Sequence, residues 1–201
     1  MEITTLIIEK VSNLIDFKFD SKLIPKSISD YIDNLCYNKV NELSNDELIV
    51  NETFSAKSIE DVEIKFSGNT YKIDIKNHDV NKDLSVPNLI SIDKARKYLS
   101  NINNHIIYIF IDYKIEDDTV TIINVNVKPI ESLDWSYLSI QNLGKGQLQL
   151  KSTTGGLFFN DNVTRKEWME KLIKEGKDYY DKLILKVTEY LINWGDETKW
   201  Q

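Results

Sequence analysis

Between residues 61 and 76 the apolar positions fall on every second residue. Val62, Ile64 and Phe66 alternate with Glu63 and Lys65, and Tyr71, Ile73 and Ile75 alternate with Lys72, Asp74 and Lys76. A period of two predicts two half-buried strands, joined across Ser67-Gly68-Asn69-Thr70 with Gly68-Asn69 as the turn. Upstream the period changes to that of a helix. Leu6, Ile7, Val11, Leu14 and Ile15 predict a helix over residues 4–17, with Thr4 or Thr5 near its cap and an apolar stripe for the core or a dimer surface. After Pro25, Ser27 or Ser29 caps a second helix to about Leu43, with Ile28, Ile32, Leu35, Cys36, Val40 and Leu43 on one side.

Leu48-Ile-Val50 leads into the hairpin, and residues 77–83 after it read as a polar loop. Pro87 starts, and Asn88 or Ser91 caps, a helix with Ile90, Ala95, Tyr98 and Leu99 inward. Residues 105–113 are nearly all apolar, which predicts a strand buried on both faces at the centre of the sheet. Residues 120–127 follow as its antiparallel partner across Glu116-Asp117-Asp118, a solvated tip. Thr164-Arg-Lys-Glu167 is a capping box for a helix with Trp168, Leu172 and Ile173 inward. Gly176 is expected to interrupt it before a stripe of Leu183, Val187, Tyr190 and Leu191. These elements describe an α/β chain with a central mixed β-sheet flanked by helices. It reads as one domain over residues 1–201: N-terminal helices in 1–45, a core in 46–130, and a segment with C-terminal helices in 131–201.

With 201 residues and 41% hydrophobic content the chain buries one good core without needing a second domain. Its one cysteine, Cys36, rules out an intrachain disulfide, and the apolar run at the N-terminus lacks a basic leader; both point to a soluble cytoplasmic protein without a membrane partner. A net charge of −7 argues against a general nucleic-acid coat protein, whose affinity comes from neutralising phosphates. The charge is uneven, however. Between Asp134 and Asp161 there is no acid, while Lys145 and Lys151 are present, so this window is the candidate nucleic-acid face.

The chemistry gathers on the hairpin. Folding it brings Asp61 back beside Asp74, and alternation puts Asp74 and Lys76 on one face. Two carboxylates and a lysine suit a hydrolytic Mg²⁺ site, because Mg²⁺ takes hard oxygen ligands and the ammonium orients a water or offsets phosphoryl charge. An isolated Asp-x-Lys is usually an ordinary solvated strand face; the upstream Asp61 is what favours the site. Two histidines, His78 and His105, without a cysteine cluster give no basis for zinc.

Asp61 facing Asp74-Ile-Lys76 resembles the PD-(D/E)xK nuclease core. Val86-Pro-Asn-Leu-Ile-Ser91 after it, then Gln147-Leu-Gln149 before Thr164-Arg-Lys-Glu-Trp168, resembles the HincII group of type II restriction endonucleases. The likeness covers about residues 60–100 and 138–175 and little of the first sixty. It implies a restriction-endonuclease-like core, Mg²⁺ held by Asp61, Asp74 and the Ile75 carbonyl, Lys76 assisting the nucleophile, and a helix acid, Asp33 or Glu42, near the site. It also implies sequence-specific hydrolysis of double-stranded DNA to 5′-phosphate ends by a homodimer.

In that group the segment after the lysine lies along DNA, which makes Asn77, His78, Asn81 and Lys82 candidate contacts; a solvated loop is the plainer reading. In the second segment Asn142, Gln147 and Gln149 offer amides for base edges and Lys145 reaches phosphate, while Gly144 and Gly146 let backbone approach the duplex. More plainly, Leu148 and Leu150 face the core and the glutamines face water. Gly144-Lys-Gly146 departs from the group, so the recognised sequence is expected to differ. Arg165, one of two arginines, is placed to reach phosphate. A repair or Holliday-junction nuclease of the same fold, and a non-catalytic DNA-binding protein, are the competing readings; the presence of all three of Asp61, Asp74 and Lys76 weighs against the last.

Overall fold

The computed structural model describes residues 2–24, 27–52, 61–82, 88–141, 146–151 and 158–194. In chain order the elements are α1 (Ile3–Val11), β1 (Lys18–Asp20), α2 (Ile28–Asn41), β2 (Leu48–Glu52), β3 (Val62–Phe66), β4 (Asn69–Asp79), β5 (Asn88–Ser91), α3 (Ile92–Leu99), β6 (Asn104–Glu116), β7 (Thr119–Pro129), β8 (Leu138–Gln141), β9 (Gln147–Leu150) and α4 (Arg165–Trp194). Six strands form one sheet in the order β1-β7-β6-β4-β3-β2, and β5-β9-β8 form a second. The large sheet is mixed: β4 and β6 run parallel, and the other neighbours run antiparallel.

Strand β6 shows how the layers are built. Its side chains alternate between faces, so Ile107, Ile109 and Ile111 enter a core with α1 and α2, whereas Ile106, Tyr108 and Phe110 enter another with α3, α4 and the small sheet. All six are buried, and Ile106, Ile107, Ile109, Ile111 and Phe110 are each worth roughly 1.5–3 kcal/mol of transfer free energy. A continuous apolar run is what a strand covered on both faces requires.

Several boundaries differ from the sequence reading. The hairpin turns at Ser67-Gly68, one residue earlier than Gly68-Asn69, with φ of 48° and 76°. Two successive positive φ values give the twist that a two-residue hairpin needs. Helix α1 starts at Ile3, so Thr4 and Thr5 lie inside it and Glu2 is the cap residue; a 3-10 turn over Ser12–Leu14 ends it, which leaves Ile15 exposed. The Ser27 hydroxyl caps α2 by accepting from the Asp30 N–H at 3.1 Å.

Residues 77–79 continue β4 rather than forming a loop, because β6 pairs with them out to Tyr113. Asn88–Ser91 is a strand, so Ile90 is not helical, and Ser91 caps α3; Val86 and Pro87 lie outside the described residues. Gly176 does not break α4. It is buried against Ile92, whose Cδ1 lies 3.4 Å from where a Cβ would stand, so helix packing accounts for the glycine. Ile173 is exposed instead of inward. The capping box forms as its spacing predicts: Glu167 accepts from the Thr164 N–H at 2.9 Å while Thr164 accepts from the Glu167 N–H at 3.3 Å. No helix among the described residues is long and apolar enough to cross a membrane.

Candidate active site

The β3–β4 register sets the site. Val62 opposite Ile73 is its last rung, and beyond it the Asp61 N–H donates to the Ile73 carbonyl at 2.9 Å. Where the next ladder bond would fall, the Asp61 carboxylate accepts from the Ile75 N–H at 2.7 Å. In a strand the N–H and C=O of one residue leave on the same edge, so the Ile75 carbonyl faces the gap that Asp61 occupies. On the α3 side of the sheet, Lys76 Nζ lies 2.8 Å and 2.7 Å from the two oxygens of Asp74. The structure thus brings Asp61, Asp74, the Ile75 backbone and Lys76 together.

The opposite face contributes Asp33. It sits on α2, where its carboxylate accepts from Asn77 Nδ2 at 2.9 Å. Burial, reinforced by the charge of Asp61, pushes Asp33 up to about 7, against the pull of the Asn77 hydrogen bond and Lys76. Burial likewise pushes Asp74 up to about 8; Lys76 opposes this and Asp61 adds to it. Two crowded acids held above the usual carboxylate range favour a bound cation. Glu42 has no part here, since it is exposed and paired with Lys39 at 2.7 Å and Lys10 at 3.3 Å.

The donor set discriminates between metals. No group of three or more His, Cys, Asp or Glu among the described residues is arranged to hold an ion. Two carboxylates and one carbonyl do not make a zinc or calcium cage, but they suit Mg²⁺, which binds through one or two carboxylates and retains waters. Asp61, Asp74 and the Ile75 carbonyl would hold it.

Two neighbours escaped the sequence reading. Tyr108 stands opposite Asp74 on β6, fully buried, and its hydroxyl has no hydrogen-bond partner among the described residues. Burial, then the Asp74 charge, raises its pKa. Asp112 on β6 lies 3.4 Å from His78 Nδ1 and accepts from Asn124 at 3.0 Å, so His78 shares a carboxylate instead of facing open solvent. Only the parallel β4–β6 pairing reveals either contact, and alternation within one strand carries no signal of it.

The proposed DNA contacts scatter. Asn77 points at Asp33, away from the Asp74 face. Asn81 donates to the Ile115 carbonyl at 2.8 Å, and Lys82 pairs with Asp79 at 3.2 Å. Gln147 and Gln149 lie half-buried on β9, with Gln149 donating to Asn88, while Leu148 and Leu150 are buried as the plainer reading expects. Gly146 is buried, at φ 67°, and its absent Cβ would stand 3.0 Å from Tyr179 and 3.1 Å from Ile92. It therefore serves packing rather than an approach to DNA. Asn142, Gly144 and Lys145 lie outside the described residues. Arg165 does not reach outward. Its guanidinium donates to the carbonyls of Leu99, Asn101 and Ile102 at 2.5, 2.9 and 3.1 Å, satisfying the end of α3, beside Glu131 at 3.8 Å.

No protein-family model and no curated protein matches the chain. Among solved structures it is similar to the NlaIV restriction endonuclease, with a TM-score of 0.52 and 11% identity over 85% of this chain and 78% of that one. At that identity the likeness speaks to architecture. The chain has a restriction-endonuclease-like α/β fold, a mixed central sheet flanked by helices.

Proposed function

We propose that the chain is a Mg²⁺-dependent type II restriction endonuclease of the PD-(D/E)xK kind, close in sequence pattern to the HincII group. It hydrolyses phosphodiester bonds at a short site in double-stranded DNA, leaving 5′-phosphate ends, and works as a cytoplasmic homodimer. The observation that carries this reading is the convergence of Asp61 and Asp74 beside Lys76 at the edge where β3 ends. The fold likeness supports it.

Each residue has a distinct task. The Ile75 N–H fixes the Asp61 carboxylate by donating to one of its oxygens where a ladder partner would stand. Asp74 is held on the adjacent strand face, and its burial keeps water from competing for it. Mg²⁺, when bound, supplies Lewis-acid stabilisation of the phosphoryl oxygens and acidifies water. Lys76, held against both oxygens of Asp74, is placed where its ammonium would orient a water and offset charge on the phosphate. Asp33 adds negative potential from the α2 side.

The test is digestion of a mixed-sequence plasmid with Mg²⁺ or with EDTA, beside Asp74→Ala. Discrete fragments that need both the metal and Asp74 are expected. A smear would mean a nonspecific nuclease, cleavage confined to branched DNA would favour a junction enzyme, and DNA intact throughout would leave a binding protein.

A further inference from the structure

Helix α4 is 30 residues long, about 45 Å at 1.5 Å per residue. Its start buries Trp168, Leu172 and Gly176 against the body. A second stripe then comes to the surface. Ile173, Tyr180, Val187 and Trp194 recur every seven residues, and Ile184 and Leu191 fall between them at steps of four and three. Ile184, Leu191 and Trp194 are 62%, 63% and 77% exposed. A helix folded onto its own globule follows a period of 3.6, whereas a seam of period 3.5 is the mark of pairing with another helix.

We propose that α4 pairs antiparallel with α4 of a second copy of this chain through this seam. The inference deepens the homodimer proposed above, yet rests on α4 alone. Lys177 decides the direction, for it occupies the seam position that continues Ile184 and Leu191. A parallel in-register pair would set it against its own copy. An antiparallel pair centred between Ile184 and Val187 sets Lys177 against Trp194 of the partner subunit, a cation over an indole face. The same alignment stacks Leu191 on Tyr180 of the partner subunit and lets the flanking Leu183 meet Tyr190 of the partner subunit.

The polar side of the helix fits a protein partner. Outside the seam, Lys171, Lys174, Lys182 and Lys186 are balanced by Glu170, Glu175, Asp178, Asp181 and Glu189, whereas a helix lying on a membrane carries a basic polar face. The apolar seam residues from Ile173 to Trp194 are all exposed, between 39% and 77%, so pairing with a second copy covers one continuous apolar strip.

Light scattering on the full chain, at micromolar concentration without DNA or metal, is expected to give twice the 23.4 kDa chain mass. Ile184→Asp with Leu191→Asp, both at exposed positions, should weaken association at least about a hundredfold while leaving far-UV circular dichroism unchanged. Oxidation should cross-link Lys177→Cys combined with Trp194→Cys, and not Lys177→Cys alone; Cys36 is buried and does not compete. A wild-type monomer, an assembly larger than a dimer, a dimer indifferent to the two aspartates, or cross-linking by the single variant would each overturn the pairing. Plasmid digestion is read separately, so a dimer without cleavage would refute the nuclease and leave the pairing intact.

Discussion

The β3–β4 edge and the β9–α4 region both carry polar residues that the sequence offers for function, but the structure treats them differently. At the edge, Asp61, Asp74 and Lys76 are drawn together by backbone register, and the charges remain chemically unsettled, with Asp74 and Asp33 held well above the usual carboxylate range. Around β9 and α4 the polar groups find internal partners: Arg165 closes α3, Gln149 holds Asn88, and Gly146 is packing. A polar residue left in electrostatic conflict is a better functional candidate than one already satisfied.

The largest effect that would break this contrast lies at Asp61. Asp61→Asn keeps an oxygen for the Ile75 N–H but removes the charge, so cleavage is expected to fall on the order of a thousandfold with the melting temperature nearly unchanged. Equal losses of cleavage and stability would make Asp61 a structural residue.

Arg165 gives the converse. Its loss in Arg165→Ala strips the carbonyls of Leu99, Asn101 and Ile102 of a donor and leaves the half-buried Glu131 with weaker compensation, which should cost roughly 2–4 kcal/mol in urea unfolding. The salt dependence of DNA binding should not change. A shallower salt slope without destabilisation would restore Arg165 as a phosphate contact.

These outcomes bear on what the sequence made legible. Strict alternation exposed β3, β4 and the convergence of Asp61 with Asp74, because a ladder maps sequence position directly onto space. The turn slipped by one residue since Ser67 adopts a positive φ that serine rarely takes. Of the two caps the sequence offers, Asn88 and Ser91, the structure uses Ser91, and strand β5 before it is not legible because four residues show too little period and its support is the distant β9. The partners of polar side chains were invisible for the same reason. Asn77 to Asp33, Gln149 to Asn88 and Arg165 to Leu99 span 44, 61 and 66 residues, separations over which local pattern says nothing.

Asp33 sharpens the contrast through pH. A carboxyl whose folded value, about 7, lies above its unfolded value of 3.8 holds its proton more tightly when folded, so its contribution is full below pH 4 and lost as pH rises through 7. Asp33→Asn retains an acceptor for Asn77. It should therefore match the wild type near pH 4 and exceed it at pH 8, by on the order of 2 kcal/mol given partial exposure. Mg²⁺ should narrow that gap by stabilising the wild type at pH 8. A pH-independent difference between the two proteins would show that neither burial nor the Asp61 charge raises Asp33 above the usual carboxylate range.

Gln149 carries the smallest effect and the finest distinction. Its amide and that of Asn88 lie side by side across the β5–β9 pair, both near the surface. Replacing it by alanine removes one polar contact that water can take over, so stability should change by less than about 0.5 kcal/mol. If the small sheet meets DNA, the amide must exchange Asn88 for a base edge, and a lost base contact weakens discrimination by about 1–3 kcal/mol. Gln149→Ala would then cut additional sequences at nearly wild-type rates on the original site. If instead fragment pattern and rate both stay as in the wild type, the pair is a structural clasp, and base reading must come from elsewhere on the chain.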